Sequence, residues 1–130
     1  MRSPTDDELR LYEAARAAAR RAHAPYSQFP VGAALLPAGD GDPILGVNVE
    51  NASFGLTSCA ERNAVFAAVA AGVRDFSAIA VHAEAGSAPP CGACRQVLVE
   101  FSPGMTVVYR RGDEVVATTA AELLPDRFEP

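Results

Sequence analysis

Lysine and tryptophan are both absent from this 130-residue chain, and its eleven basic side chains are all arginine. Without lysine the protein can form no Schiff base with pyridoxal phosphate, and it has no P-loop lysine or lysine general base. The 16 acidic against 11 basic side chains give a net charge of −5. Nucleic acid is therefore an unfavourable partner, because binding phosphates requires a basic face.

Targeting and membrane segments are not predicted either. No apolar run approaches the roughly 20 residues that span a bilayer. Residues 1–8 are polar and acidic, which is not the pattern of a signal peptide.

Cysteine is scarce, with three residues in the chain (Cys59, Cys91 and Cys94). An odd and small number argues against a disulfide framework, so we expect reduced thiols and a cytoplasmic protein.

Capping and periodicity predict alternating helices and strands. Thr5 and Glu8 form a capping box that begins a first helix, which should stop before Pro25. Its weakly apolar face comprises Leu9, Tyr12, Ala15, Ala19 and Ala22. Strands are predicted at residues 31–36, 44–49, 78–83, 106–109 and 115–118, with a turn at 37–43 and further helices at 60–71, 91–101 and 120–124. This order indicates one α/β domain over residues 1–130, with parallel crossovers and a sheet covered by helices.

Two short motifs contain all three cysteines, Cys59-Ala60-Glu61 and Pro90-Cys91-Gly92-Ala93-Cys94. Both fall at predicted helix N-termini, where the helix dipole favours the thiolate that binds metal. Cys91 and Cys94 lie one helical turn apart and can bind the same ion, with Cys59 as a third ligand. Three protein ligands leave one open position on a tetrahedral zinc, which is typical of a catalytic site. His23 and His82 are not predicted as ligands.

Glu61 lies two residues after Cys59 at the start of a helix. An isolated glutamate there would simply stabilise the helix dipole. Beside a zinc with an open position, it becomes a candidate proton shuttle for metal-bound water. A Cys-x-Glu motif followed by Pro-Cys-x-x-Cys is the pattern of zinc deaminases. A purely structural zinc module is the alternative from another class, and it explains neither Glu61 nor the missing fourth ligand.

In these motifs and in further stretches, the chain resembles the small homotetrameric cytidine deaminases. Five stretches carry the resemblance: APYSQFPVGAA at 24–34, GVNVEN at 46–51, CAER at 59–62, PCGACRQ at 90–96 and ELLP at 122–125. The resemblance implies a three-layer α/β sandwich with a mixed five-stranded sheet covered by helices. It also implies zinc-dependent deamination of cytidine and 2′-deoxycytidine in pyrimidine salvage, by a homotetramer whose sites are shared between subunits.

Several residue roles follow from the resemblance. Cys59, Cys91 and Cys94 would bind zinc. Glu61 would take a proton from the zinc-bound water and deliver it to ring N3 and then to the leaving amine. Asn48 and Glu50 would hold the ribose hydroxyls; two strand residues that are two apart do point to the same side. The alternative is that Asn48 and Glu50 are polar residues at the end of a strand that face solvent.

The remaining roles concern the base and the charge of the site. By resemblance, Phe29 packs on the pyrimidine ring, the N–H of Ala60 binds the pyrimidine O2, and Arg62 offsets the charge of the thiolates. Phe128 would reach the base in an adjacent subunit's site. Read alone, Phe29 would be a core residue, Arg62 a solvent-exposed helix residue, and Phe128 a cover over its own core.

The chain departs from the resembled pattern at Phe54, where the family often has a tyrosine that reaches the sugar of a neighbouring substrate. Two other deaminase activities are alternatives. One is the deamination of a related aminopyrimidine nucleoside such as blasticidin S. The other is polynucleotide editing, which the net charge of −5 disfavours.

Overall fold

The computed structural model describes residues 1–39 and 41–130, so Asp40, in the predicted turn at 37–43, lies outside the described residues. Helices and strands alternate within the described residues in the predicted order. The elements are α1 (Asp6–Ala19), β1 (Val31–Pro37), β2 (Ile44–Val47), α2 (Ala60–Ala70), β3 (Phe76–Ala83), α3 (Gly92–Phe101), β4 (Thr106–Arg111), β5 (Glu114–Thr119) and α4 (Ala120–Leu123). A short 3₁₀ turn, Phe54–Leu56, precedes α2.

One mixed sheet contains all five of these strands in the order β2-β1-β3-β4-β5. Strand β1 pairs antiparallel with both β2 and β3, and β4 pairs antiparallel with β5. The central pair β3–β4 is parallel, and α3 connects its strands. The predicted parallel crossover is therefore confirmed at this pair, while the hairpins at either end make the sheet mixed.

Helices cover both faces of the sheet, which gives three layers. On one face, Ala34, Ala80 and Val108 pack with residues of α1. On the other face, Ile79 packs in a larger core with side chains of α2 and α3, such as Val65 and Leu98. The predicted three-layer α/β sandwich is confirmed. Within the described residues, no helix is both long and apolar enough to cross a membrane.

The first helix begins as its sequence predicts, and Tyr12, Ala15 and Ala19 of the predicted apolar face are buried. The Thr5 hydroxyl accepts a hydrogen bond from the Glu8 N–H at 3.2 Å, and the Glu8 carboxylate accepts one from the Thr5 N–H at 2.9 Å. Leu9, predicted on the apolar face, is exposed, and Leu11 is buried beside Tyr12. The prediction that Leu9 is buried was wrong, because the buried face of the helix comprises residues 11, 12, 15, 18 and 19.

Two glycines allow helices to approach the sheet closely. A Cβ on Gly32 would lie 2.1 Å from the Ala15 carbonyl oxygen of α1, and one on Gly46 would lie 2.3 Å from the Ala60 carbonyl oxygen of α2. Real Cβ atoms do not approach other atoms this closely, so both positions require glycine. Gly46 thereby seats the first turn of α2, which contains Ala60 and Glu61, directly on β2.

Candidate active site

The three cysteine sulfurs converge where the N-termini of α2 and α3 meet. Cys59 is the N-cap residue of α2, Cys91 is the N-cap residue of α3, and Cys94 lies in the first turn of α3. Their Sγ atoms all lie within 4.8 Å of one another. The structure therefore brings together the three residues that the sequence proposes as metal ligands.

Protons on this sulfur cluster are shared unequally. A hydrogen bond from the Cys94 thiol, assisted by Arg62, lowers the pKa of Cys59 to about 5. The same shared proton, together with burial, raises the pKa of Cys94. A second thiolate beside the first is unfavourable because two like charges lie close together in a partly buried site. A bound cation removes that penalty, so the cluster has the electrostatics of a site that exchanges protons for metal.

Arg62 supplies positive charge to the cluster. Its guanidinium donates to Cys59 Sγ at 3.1 Å, across one turn of α2. The side chain is half-buried, and its Nε is buried without a hydrogen-bond partner among the described residues. A guanidinium held in this position offsets thiolate charge. The alternative that Arg62 is an ordinary solvent-exposed helix residue does not fit this contact.

Glu61 is buried beside the sulfurs, with 5% of its surface exposed. Burial raises the pKa of Glu61, and the nearby Cys59 thiolate adds to the rise. A carboxyl whose pKa lies above its ordinary value is suited to hold a proton and release it to a reacting group. An exposed first-turn glutamate, which serves only the helix dipole, would lack this environment.

A cavity of about 420 Å³ opens onto the cluster. Its walls include Phe29, Ala60, Glu61 and the thiols Cys59 and Cys91. Phe29 is 38% exposed, so it is a wall residue of this cavity, and the core placement is excluded. Ala60 is the first residue of α2, where a backbone N–H has no partner within its own helix.

Asn48 and Glu50 also line the cavity, although β2 ends at Val47, earlier than predicted. Beyond the strand, Val49 makes isolated bridges to His23 and Ser58, which keep this segment extended. The side chains of Asn48 and Glu50 are both buried, so neither faces solvent. They therefore share one side, as their spacing of two residues predicts.

The amide of Asn48 and the carboxylate of Glu50 both bind the loop that precedes β1. Asn48 accepts from the Val31 N–H and donates to the Phe29 carbonyl, both at 2.9 Å. Glu50 accepts from the N–H groups of Tyr26 at 2.9 Å and Ser27 at 3.1 Å. The Ser27 hydroxyl also bonds Glu50 and is the largest cause of the lowered pKa of Glu50.

Phe128 does not join this cavity in its own chain. Its side chain is 75% exposed, and its backbone pairs with the Gln96 amide at 3.2 and 3.4 Å. The alternative that Phe128 covers its own core is therefore wrong.

Phe54 is 73% exposed and lies against Tyr26, with ring centroids 5.7 Å apart.

The two histidines stand apart from the sulfur cluster, as predicted. His82 is buried on the α1 face of the sheet, where its Nδ1 lies 2.6 Å from the Tyr12 hydroxyl. His23 contributes backbone hydrogen bonds to Asn48 and Glu50. Neither belongs to the metal-ligating group found among the described residues.

Several cavity residues were missed by the sequence reasoning. Ser27, Thr57 and the 87–89 loop all contribute to its walls. Ser27 had a recognisable signal, because a serine hydroxyl often accepts from the N–H two residues later and here that residue is Phe29. The 87–89 loop had no such sequence signal, because its position beside the cavity depends on where β3 ends relative to α2.

The donor set suits zinc. Three thiols held by two helix N-termini are soft ligands, and zinc–sulfur bonds of about 2.3 Å fit sulfurs gathered this closely. Three ligands leave a position open toward a cavity, and Arg62 reduces the charge of the set. The fold and this donor set define a zinc-binding protein of the mixed α/β class.

Comparison with known proteins identifies the family. The cytidine and deoxycytidylate deaminase zinc-binding region matches residues 5–110. A cytidine deaminase of Sporosarcina psychrophila is 49% identical over 126 residues, covering 94% of this chain and 91% of that protein. One from Halalkalibacterium halodurans is 51% identical over 126 residues, covering 94% of each.

A solved structure agrees with these relatives. The crystal structure of cytidine deaminase from Burkholderia pseudomallei has 52% sequence identity and a TM-score of 0.86, covering 96% of this chain and 100% of that chain. The chain therefore belongs to the zinc-binding cytidine and deoxycytidylate deaminase family.

Proposed function

We propose that this protein is a cytidine deaminase that hydrolyses cytidine and 2′-deoxycytidine to uridine and 2′-deoxyuridine with release of ammonia. The observation that carries the proposal is one cavity lined by Cys59, Cys91 and the buried Glu61, at the point where the sulfurs of all three cysteines cluster. The relatives named cytidine deaminases, about half identical over nearly the whole chain, support the same activity. In a cell, this reaction would serve pyrimidine salvage.

Cys59, Cys91 and Cys94 would hold the zinc ion. When bound, zinc supplies the Lewis acidity that activates a water for attack on ring carbon 4. Glu61 would take one proton from that water and pass it to ring N3, and would then take the second proton from the new hydroxyl on carbon 4 and give it to the departing amine, so that cytidine and water give uridine and ammonia. Its burial and raised pKa suit both the uptake and the release of the proton.

Recognition of the substrate would use the walls of the cavity. Phe29 would pack on the pyrimidine ring, and the N–H of Ala60 would donate to the pyrimidine O2. Asn48 and Glu50, which lie on the same wall, would bind the sugar hydroxyls. Arg62 would offset the charge of the thiolate ligands.

A nucleoside fits this cavity better than a nucleotide. Among the described residues that line the cavity, Glu50 and Glu61 are acidic and none is basic. A 5′-phosphate would therefore meet two carboxyls and, among the described lining residues, no basic side chain to pair with, a juxtaposition that costs several kcal/mol. The acidic lining therefore favours a nucleoside substrate, in a family whose description also includes deoxycytidylate deaminases.

The assembly we propose is a homotetramer with shared sites. Phe54, Leu56 and Phe128 are each at least 70% exposed in the single chain. Large exposed apolar side chains are typical of protein interfaces. In this arrangement Phe128 would complete the cavity of a neighbouring subunit, and residues 1–130 would act as one domain. We expect the protein to work in the cytoplasm, where the thiols stay reduced.

The test compares deoxycytidine with its 5′-monophosphate. Purified zinc-loaded protein is incubated with each compound, and ammonia release is followed over time. We expect turnover of the nucleoside and a kcat/KM for the monophosphate lower by on the order of 100-fold. Equal use of both compounds would contradict the nucleoside assignment, and turnover of neither would contradict the deaminase assignment.

A further inference from the structure

The loop that precedes β1 holds Phe29 from both sides of its backbone. The Phe29 N–H donates to the Ser27 hydroxyl oxygen at 3.1 Å. The Phe29 carbonyl accepts from the Asn48 side-chain amide at 2.9 Å. The position of this cavity-wall ring therefore depends on one hydroxyl and one amide.

The same loop holds the carboxylate of Glu50. One carboxylate oxygen accepts from the N–H groups of Tyr26 at 2.9 Å and Ser27 at 3.1 Å. The other oxygen accepts from the Ser27 hydroxyl. That hydroxyl therefore donates to Glu50 and accepts from the Phe29 N–H at the same time. One side chain connects the wall that would bind the sugar to the wall that would bind the base.

Backbone strain lies between the two contacts of Ser27. Gln28 has φ +54°, the left-handed region that non-glycine residues rarely adopt. Such a conformation is unfavourable for a residue with a Cβ and persists where surrounding contacts fix it. The Gln28 N–H donates to the Ala24 carbonyl at 3.1 Å, and the contacts of Ser27 and Phe29 lie on either side, so loss of the Ser27 hydroxyl would remove one of the restraints that maintain this conformation.

We propose that Ser27 is a positioning residue that couples Glu50 to Phe29, so that the sugar-binding and base-binding walls keep one shared geometry. The inference rests on the proposed function, which assigns Glu50 to the sugar and Phe29 to the ring. Ser27 acts through these two residues and touches no reacting atom.

The coupling is expected to affect substrate binding and not the chemical step. Cys59 and Glu61 are on α2, and Cys91 and Cys94 are at the start of α3. Among the described residues, Ser27 makes no hydrogen bond to any of these four. A hydrogen bond to a charged group contributes enough that its loss changes binding about 10-fold or more. Ser27→Ala should therefore raise KM for cytidine by about 10-fold and leave kcat within about twofold.

The experiment compares three zinc-loaded variants with wild type. Ser27→Ala removes the hydroxyl, and Ser27→Thr retains it and should restore KM to near the wild-type value. Ser77→Ala is the matched control, because Ser77 is also exposed and its hydroxyl bonds backbone carbonyls of Leu36 and Pro37, away from the cavity. Thermal unfolding and zinc content establish that each variant is folded.

Each variant is assayed with cytidine and with 2′,3′-dideoxycytidine, the latter by competitive inhibition if its turnover is slow. The analogue lacks the 2′- and 3′-hydroxyls and so cannot offer these groups to Glu50, and we expect Ser27→Ala to weaken it clearly less than it weakens cytidine. A KM for cytidine unchanged by Ser27→Ala, an equal loss on both compounds, or a loss confined to kcat would overturn the coupling.

Failure of the proposed function would be distinguishable. A wild-type protein that does not deaminate cytidine would overturn the function, and the inference with it. An active wild type whose Ser27→Ala variant behaves like Ser77→Ala would overturn the role of Ser27 alone.

Discussion

The Arg62 guanidinium donates to the Cys59 sulfur at 3.1 Å, so a fixed positive charge lies next to the first thiol of the cluster. Both residues belong to one turn at the start of α2, where backbone N–H groups add to the same field. A site built from three thiols accumulates negative charge as it loses protons. Arg62 and the two helix N-termini oppose that accumulation without occupying a ligand position.

The metal-free protein should therefore contain one unusually acidic thiol. The pKa of Cys59 is lowered to about 5, so its thiolate is present above that pH and is lost below it. We expect alkylation of Cys59 in metal-free protein to reach half its maximal rate near pH 5. Arg62→Gln should move that midpoint upward, whereas Arg74→Gln, at an exposed arginine outside the cavity, should not. Peptide mass mapping across a pH series makes the measurement, and an unchanged midpoint in Arg62→Gln would refute the role of the guanidinium.

Loss of one ligand should release the metal. Cys94 is fully buried, and serine is close to cysteine in size, so Cys94→Ser should fold while losing most of its zinc and activity together. Metal analysis of purified wild-type and Cys94→Ser protein checks this. We expect one zinc per wild-type chain, and full occupancy in the variant would show that Cys94 is not a ligand.

Glu61 can be separated from metal binding by a substitution that keeps its shape. Glu61→Gln retains the size of the side chain but cannot accept a proton. Zinc should stay bound, while kcat falls by the ~10²–10⁴ that is typical of general acid–base groups. Steady-state rates, combined with zinc content from the same preparation, decide the outcome. Wild-type turnover in Glu61→Gln would exclude this residue as the proton shuttle.

Shared sites predict complementation between two defective chains. Truncation after Leu124 removes Phe128, which is exposed and does not line its own cavity, so zinc content should be retained while use of cytidine weakens sharply. Mixing truncated chains with Glu61→Gln chains should restore part of the activity. In mixed tetramers, an intact tail from one chain would serve an intact Glu61 on another.

Subunit exchange in that mixture is checked by native mass spectrometry with one chain isotopically labelled. Exchange without any recovery of activity would contradict shared sites. An active wild-type monomer would contradict them as well.

Much of the fold follows from local sequence signals. The capping box of Thr5 and Glu8 and the two cysteine-containing helix starts are all found as predicted. Which residues of the first helix are buried could not be predicted from local sequence, because it depends on long-range packing. Leu9 and Leu11 are equally apolar, and the one that is buried depends on how α1 lies across the sheet.

The site also contains residues that local sequence predicts and residues that it does not. Cys59, Glu61 and the Cys91–Cys94 pair are recognisable because their spacing fixes their geometry within one or two helical turns. The contact between Ser27 and Glu50, by contrast, joins residues 23 positions apart. Such a contact depends on the path of a loop, which has no periodic signature.

Zinc-dependent deamination is tested most directly by a product balance with and without zinc. Zinc-loaded protein is incubated with cytidine, and uridine and ammonia are quantified together; the same protein is then assayed after metal removal by a chelator and after zinc is restored. We expect one ammonia for each uridine, loss of activity without zinc and its return on reconstitution. Unchanged cytidine in the presence of fully zinc-loaded protein, or turnover that persists in verified metal-free protein, would contradict zinc-dependent cytidine deamination.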